Sequence, residues 1–191
     1  MTDWKKRLKE GLEPMLSLVD PRQKISAYHD MPYAIFWYPP EYEFPLRHEL
    51  SLLKIRLEQS GKRVTVISLA ECLHQALDAE FSRDEFIEAE RSMGLSAAIE
   101  TAHEIIGVNH PLPDLVAERI PSDATPSGDI VFIVRAGALF PLYRTSSLLE
   151  KLQDKVTVPA VLFYPGLLDG STGLSFMGVL QPEHNYRPKI F

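Results

Sequence analysis

The chain has little cysteine and no long apolar run. Cys72 is the only cysteine among its 191 residues, which excludes an intrachain disulfide framework and a zinc site built from four thiolates. A single thiol is typical of a reducing compartment, so we expect a cytoplasmic protein. No stretch approaches the roughly 18 consecutive apolar residues of a membrane-spanning helix, and we expect no membrane association.

Catalytic and cofactor signatures are missing as well. The sequence contains no GxxxxGK[ST] phosphate loop, no GxGxxG turn, no GxSxG elbow, and neither an HExxH nor a paired CxxC metal motif. Its six histidines show no metal-ligand spacing. We therefore predict a protein that is not an enzyme and has no catalytic residue, cofactor or metal. A hydrolase, the least favoured alternative, would need loop carboxylates such as Glu41, Glu43 and Asp169 to cluster.

Charge is distributed unevenly along the chain. The formal net charge is −6, and residues 71–104 alone carry −7 through nine acids against Arg83 and Arg91. Nucleic-acid binding requires a clustered basic surface that displaces counterions from phosphates, so direct DNA binding is not expected. The acidic stretch is typical of a solvated helical face, and a docking site for a basic partner is the alternative.

Apolar periodicity predicts alternating strands and helices. Short aromatic and β-branched runs predict buried strands at residues 33–38, 64–69, 129–134, 158–164 and 174–180. Helical spacing predicts a leading helix within residues 1–20, a helix over 45–57, a helical insertion at 71–120 between the second and third strands, and a helix after Thr145. We predict a single α/β domain over residues 1–191, with a mainly parallel sheet flanked by helices. This layout is P-loop-like or Rossmann-like but lacks a Walker A motif.

The loop after the third predicted strand is the strongest candidate site. Ligands of parallel sheets bind beyond the carboxyl ends of the strands, and here such an end is followed by Gly137, Pro141 and Arg144. Backbone N–H groups near Gly137 and the fork of Arg144 could hold a phosphate or a partner's carboxylate. In the alternative interpretation, Gly137 and Pro141 shape a tight turn and Arg144 pairs with an internal acid.

Three segments resemble the BrxB family of bacterial BREX phage-defence systems: DIVFIVRAGALFPLYRTSSLLEKLQ, VPAVLFYPGLLDG and FMGVLQPEHNYRPKIF. That family has a Gly-x-Gly-x-x-x-Pro-x-x-Arg turn, a Leu-Leu helix, a Phe-Tyr-Pro-Gly strand end and a terminal Asn-Tyr-Tyr-Arg-like motif. The matching residues are Gly137, Pro141, Arg144, Leu148, Leu149, Phe163, Tyr164, Pro165, Gly166, Asn185, Tyr186 and Arg187. Looser matches in the first half of the chain are Tyr38, Pro40, Glu43 and Arg47. The chain departs from the pattern at Arg135, where the family has the first glycine, and at Arg187-Pro188.

The resemblance implies a non-catalytic accessory or scaffold protein of a BREX system. Its implied partners are the PglZ component, an alkaline-phosphatase-like protein, and beyond it the BREX ATPase and methyltransferase. Exposed aromatics and arginines anchor interfaces, so the candidate partner- or anion-binding residues are Arg47, Arg135, Gly137, Phe140, Pro141, Tyr143, Arg144, Tyr164 and Tyr186. Core packing is the alternative for Phe140 and Tyr164. A second hypothesis is a degenerate nucleotide- or nucleic-acid-binding regulator, which would bring Arg47, Arg135 and Arg144 together in one pocket.

Overall fold

A mainly parallel sheet forms the centre of the protein, as seen in a computed structural model that describes residues 3–25, 32–184 and 186–191. Its strands are β1 (Tyr33–Tyr38), β2 (Arg63–Ser68), β3 (Asp129–Val134), β4 (Ala160–Asp169), β5 (Gly173–Phe176) and β6 (Lys189–Ile190). The strands β2, β3, β4, β1 and β6 are parallel neighbours in that order, and β5 pairs antiparallel with β4. The predicted α/β class is therefore confirmed.

Helices flank the sheet on both faces. Before β2 lie α1 (Asp3–Lys6), a π-helix (Arg7–Leu12), α2 (Glu13–Leu16), α3 (Arg22–Ile25), a 3-10 turn (Pro40–Tyr42) and α4 (Glu43–Gln59). Between β2 and β3 lie α5 (Leu69–Glu80), α6 (Arg83–Met93), α7 (Leu95–Glu104), a π-helix (Ile105–Asn109) and α8 (Leu112–Ala117). A 3-10 turn (Ala136–Leu139) and α9 (Thr145–Lys151) follow β3. The acidic α6 has no buried residue, as a solvated face requires.

The sheet separates two hydrophobic clusters, because successive side chains of a strand point to opposite faces. One cluster holds Tyr33 and Ile35 of β1 together with the apolar residues of α5, α8 and α9. The other holds Ala34 and Phe36 of β1 with α4 and the leading helix. The helix α4 and the helix α9 therefore lie on opposite faces of the sheet. This separates the motif that contains Arg47 from the motif that contains Arg144.

The leading helix contains a π-helical turn for a reason visible in its sequence. Trp4, Leu8, Leu12 and Leu16 are buried and recur every four residues. An α-helix of 3.6 residues per turn would rotate such a stripe by about 40° at each repeat, and the wider π turn reduces this drift. The same turn carries Arg7, whose guanidinium donates to the carbonyls of Trp37 and Phe191 at 3.0 and 2.6 Å. Arg7 thereby fixes the helix to the ends of β1 and β6.

The end of β4 differs from the prediction. The Pro165-Gly166 pair is a typical turn signal, but β4 continues through it to Asp169. Its last four residues form a hairpin with β5, past the carboxyl ends of the neighbouring parallel strands. The strand predicted at 174–180 ends at Phe176. The strand β6 was not predicted, because two residues give no periodicity. No described helix is both long and apolar enough to cross a membrane.

Candidate functional site

The loop between β3 and α9 begins with a residue in an unusual conformation. Arg135 has φ 60° and ψ 36°, the left-handed region that side chains with a Cβ rarely adopt. The resembled family has glycine at this position, and glycine enters that region without steric cost. The chain therefore keeps the turn of the family pattern with a residue less suited to it.

Replacing Arg135 with glycine should stabilise the protein. The left-handed conformation costs a residue with a Cβ about 1–2 kcal/mol, and the greater flexibility of unfolded glycine offsets about half of the gain. We expect the free energy of unfolding to rise by about 0.5–1 kcal/mol, measured by urea denaturation. Arg91→Gly, in the right-handed helix α6, should instead lose about 1 kcal/mol. A loss of stability in Arg135→Gly would show that contacts of the Arg135 guanidinium stabilise the protein by more than the strained backbone destabilises it.

Arg144, at the end of the loop, is held by a chain of polar contacts. Its Nη1 donates to Glu183 Oε1 at 2.9 Å, and Tyr186 Oη lies 3.5 Å from Glu183 Oε2 and 3.0 Å from Thr145 Oγ1. Burial raises the pKa of Tyr186, which keeps its hydroxyl protonated. The Arg144 side chain is nevertheless 72% exposed. Arg144 therefore pairs with an internal acid, as one interpretation predicted, and still presents its guanidinium to solvent.

Glu183 owes its position to the β4–β5 hairpin. Its backbone N–H and C=O exchange hydrogen bonds of 3.1 and 3.0 Å with Leu174 of β5. Its side chain is only 23% exposed. Because the backbone of the acid is fixed to β5, its carboxylate offers Arg144 a partner at a defined place on the surface. This arrangement gives a preorganised cation at the protein surface.

A polar groove of about 980 Å³ runs from α9 to the C-terminal segment. We name it the Arg144 groove. Its wall carries the cations Arg144, Arg187 and Lys189 and the acids Glu150 and Glu183. Tyr186 lines it as well. Among the described residues of its wall, three cations stand against two acids, so the surface favours an acidic partner or ligand. Asn185, part of the resembled terminal motif, lies outside the described residues.

Tyr164 supports the groove from inside. It is fully buried, and its ring centroid lies 5.3 Å from that of Phe176 and 5.9 Å from that of Tyr186. Phe140 is half-buried and packs edge-on against Phe176 at 5.9 Å. Tyr143 is 6% exposed. The hypothesis that these aromatics contact a partner depended on exposure, a condition that Tyr164 and Tyr143 do not meet because their rings are buried.

Tyr143 carries a buried hydroxyl without a hydrogen-bond partner in the described structure. Such a group loses its water without compensation, at a cost of about 1–3 kcal/mol. We expect Tyr143→Phe to raise the free energy of unfolding by about 1 kcal/mol in urea denaturation. Tyr33→Phe is the matched control, because the Tyr33 hydroxyl donates to the Leu152 carbonyl and its removal should destabilise the protein by about 1 kcal/mol. Equal losses in both variants would indicate a bound partner for Tyr143.

Gly137 and Pro141 shape the loop. A Cβ on Gly137 would lie 3.3 Å from Met177 Sδ and 3.5 Å from Pro165 Cγ, so the glycine allows the hairpin to pack closely against the 3-10 turn. Pro141 is exposed and follows a cis peptide bond. The helix α9 begins at Thr145 with no side-chain cap. Ser147 and Glu150 could form a capping box by their spacing, but they do not, because the helix begins at Thr145 and Ser147 is its third residue.

The resembled residues of the first half form a separate cluster at the end of β1. Arg47 Nε donates to Glu43 Oε1 at 2.8 Å, and the Tyr38 hydroxyl donates to the other Glu43 oxygen. Burial and the Glu43 carboxylate raise the pKa of Tyr38. The Arg47 guanidinium lies 5.0 Å from the ring of Phe44, which is 77% exposed. This pairing explains why tyrosine, glutamate and arginine occur together in that motif.

The structure does not bring the three predicted arginines together. Arg47 lies on α4, which packs on the opposite face of the sheet from α9. Neither Arg47 nor Arg135 lines the cavities around Arg144. The convergence that would favour a nucleotide-binding regulator is therefore not observed.

The other residues considered for metal binding or catalysis do not cluster in the described parts of the chain. Within residues 3–25, 32–184 and 186–191, no group of three or more His, Cys, Asp or Glu side chains could hold a metal ion. Of the loop carboxylates, Glu43 pairs with Arg47, and Asp169 lies 3.8 Å from His184. Cys72 is fully buried, and burial raises the pKa of its thiol.

Comparison with known proteins agrees with the resemblance. The sequence model of the family described as BREX protein BrxB matches residues 65–190, well over half of the chain. The chain belongs to the BrxB family. A BREX protein BrxB of Bacillus cereus (strain H3081.97) is 26% identical over 187 residues, which cover 95% of this chain and 96% of that protein. No solved structure matches the chain. Membership of the BrxB family supports an accessory role in phage defence.

The family model covers every described residue of the groove wall, because these residues fall between Arg144 and Ile190 in the sequence. Sequence reasoning found Arg144 and Tyr186 and missed Glu183, Arg187 and Lys189 as a set. One signal was available, because Glu183 and Arg187 flank Tyr186 in a short polar segment after the last predicted strand. Their convergence on Arg144 depends on the hairpin, which has no local sequence signature.

Proposed function

We propose that this BrxB protein is a non-catalytic scaffold of a BREX system that binds the PglZ phosphatase-like component through the Arg144 groove. The observation that carries the proposal is the exposed Arg144 held by a fixed Glu183 at 2.9 Å. Arginines that are already ordered lose little entropy on binding and are frequent hot spots of interfaces. The BREX ATPase and methyltransferase are further partners in this proposal, which places the protein in the cytoplasm without direct DNA contact.

The surface next to the groove supports this role. The β4–β5 hairpin and the turn after it expose four large apolar residues, at 47, 37, 70 and 38% of their area: Leu167, Leu168, Val179 and Leu180. Leu180 and Arg144 line the same small cavity, so the apolar hairpin and the cationic groove are continuous. Exposed apolar residues beside a fixed arginine have the composition of a protein-binding surface.

The groove also indicates the charge of the partner. Arg144, Arg187 and Lys189 outnumber the two acids of its wall, and opposite charge across an interface steers association and fixes orientation. The matching surface of PglZ should therefore present carboxylates around an apolar patch. The acidic α6 lies in a different part of the chain and is available to a different partner.

Co-purification tests the proposal directly. The tagged protein is expressed with the other gene products of its defence locus, purified at moderate salt and analysed by light scattering. We expect a stoichiometric complex with the PglZ protein, and we expect high salt to weaken it because part of the contact is ionic. Recovery of the tagged protein alone, monodisperse and folded, would contradict a scaffold role.

A further inference from the structure

A second cavity lies beside the Arg144 groove and differs from it in charge. It has a volume of about 260 Å³ and is lined by His103, Arg144, Ser147 and Lys151, together with Pro141, Leu142 and Tyr143. None of the described residues that line it is a carboxylate, whereas the groove carries Glu150 and Glu183. Three basic side chains thus line this cavity, and of these Arg144 is paired with Glu183, an acid of the groove.

The basic side chains come from separate elements of the fold. His103 lies in α7, Arg144 precedes α9, and Lys151 ends α9. Ser147 and Lys151 are four residues apart, so they lie on one face of the helix and point to the same side. The Lys151 ammonium is 5.9 Å from the centre of the Tyr143 ring, which forms part of the cavity wall. The described residues show no ion pair to Lys151 or His103.

The donors match an oxyanion. Arg144 donates one guanidinium N–H to Glu183 and has other N–H groups that can donate to a ligand. Lys151 adds an ammonium, and Ser147 adds a hydroxyl. Arginine and lysine are the usual partners of phosphate groups, and charge-assisted hydrogen bonds are the strongest of their kind. The volume lies below the roughly 300–1,000 Å³ of pockets for drug-sized ligands, which favours a single small anion.

We propose that this cavity binds a small oxyanion of the phosphate type, either free or as the phosphoryl group of a monoester. Arg144 lines both the cavity and the groove. The anion would therefore stabilise the Arg144 guanidinium, while His103 would connect the anion to the helical segment between β2 and β3. The proposal does not depend on PglZ binding, because it concerns the protein without a partner.

Thermal unfolding with inorganic phosphate tests the proposal at constant ionic strength, with chloride as the replaced anion. At about ten times the dissociation constant, mass action and the size of the domain predict that the Tm of the natural protein rises by about 3–6 °C. Lys151→Ala should lose most of this rise. Lys155→Ala is the matched control, since Lys155 pairs with Asp114 at 2.6 Å and does not line the cavity.

The control is needed because phosphate also stabilises proteins through exclusion from their surface. A phosphate-dependent rise of equal size in the natural protein, Lys151→Ala and Lys155→Ala would overturn the proposal, as would no rise at all. A second series with O-phosphoserine, against serine, separates the two sources of the anion. A rise with both ligands supports a phosphoryl site, and a rise with phosphate alone supports a site for the free anion.

Discussion

Gly166→Ala should cost at least about 3 kcal/mol of folding free energy and lower the Tm by about 6–12 °C. A Cβ at this position would lie 2.3 Å from the Ser175 carbonyl oxygen and 2.4 Å from Tyr164 Cε1. The first of these atoms belongs to the backbone of β5, and the second belongs to a fully buried ring. Neither can move without separating β4 from β5 or displacing Tyr164 from the core.

Urea denaturation and a thermal melt measure this effect. Gly107→Ala is the control, because a Cβ on Gly107 meets no atom within 4 Å and alanine is the better helix former. We expect that control to be neutral or up to about 1 kcal/mol more stable. A Gly166→Ala protein within about 1 kcal/mol of the natural one would mean that the hairpin is not held as described. Because Glu183 is fixed to β5, the same variant should also release Arg144.

Arg144→Ala should abolish phage protection and leave the fold intact. The variant removes a side chain that is 72% exposed, and an exposed ion pair contributes only about 0–1 kcal/mol, so the Tm should fall by less than about 4 °C. Protection should be lost because the variant removes a groove cation that is paired with Glu183 and presented to solvent. Plaque counts on cells carrying the complete defence locus measure protection, and a melt of the purified protein measures stability.

Arg91→Ala is the matched control for this change. Arg91 is 73% exposed and lies 3.8 Å from Glu88 on α6, so the substitution removes the same side chain at the same exposure. Protection should remain at the natural level. Unchanged protection in Arg144→Ala together with a large loss of Tm would assign Arg144 to structure, and loss of protection in both variants would indicate a general effect of charge.

Local pattern predicted the strands that are buried on both faces. The bounds of β1 and β3 are those expected from the runs YAIFWY and DIVFIV, because aromatic and β-branched residues without interruption suit a parallel strand covered by helices. The helix α4 followed in the same way from a leucine stripe with Gly61 after it. In these elements the local preference and the tertiary environment favour the same structure.

Contacts between distant segments could not be predicted. Pro165-Gly166 is a turn signal by composition, yet Gly166 is required here because β5 and Tyr164 approach the backbone too closely for a side chain. Arg144 and Glu183 are 39 positions apart, and no periodicity relates them. The strand order was equally out of reach, since local sequence does not encode which strands become neighbours.

The central claim is that the Arg144 groove binds the PglZ component, and a binding titration of the two purified proteins tests it most directly. The natural protein should bind, Arg144→Ala should bind at least about 30-fold more weakly, as for a hot-spot arginine worth about 2 kcal/mol, and Arg91→Ala should bind as the natural protein does. Absence of binding by the natural protein, or equal affinity of the natural protein and Arg144→Ala, would contradict the claim.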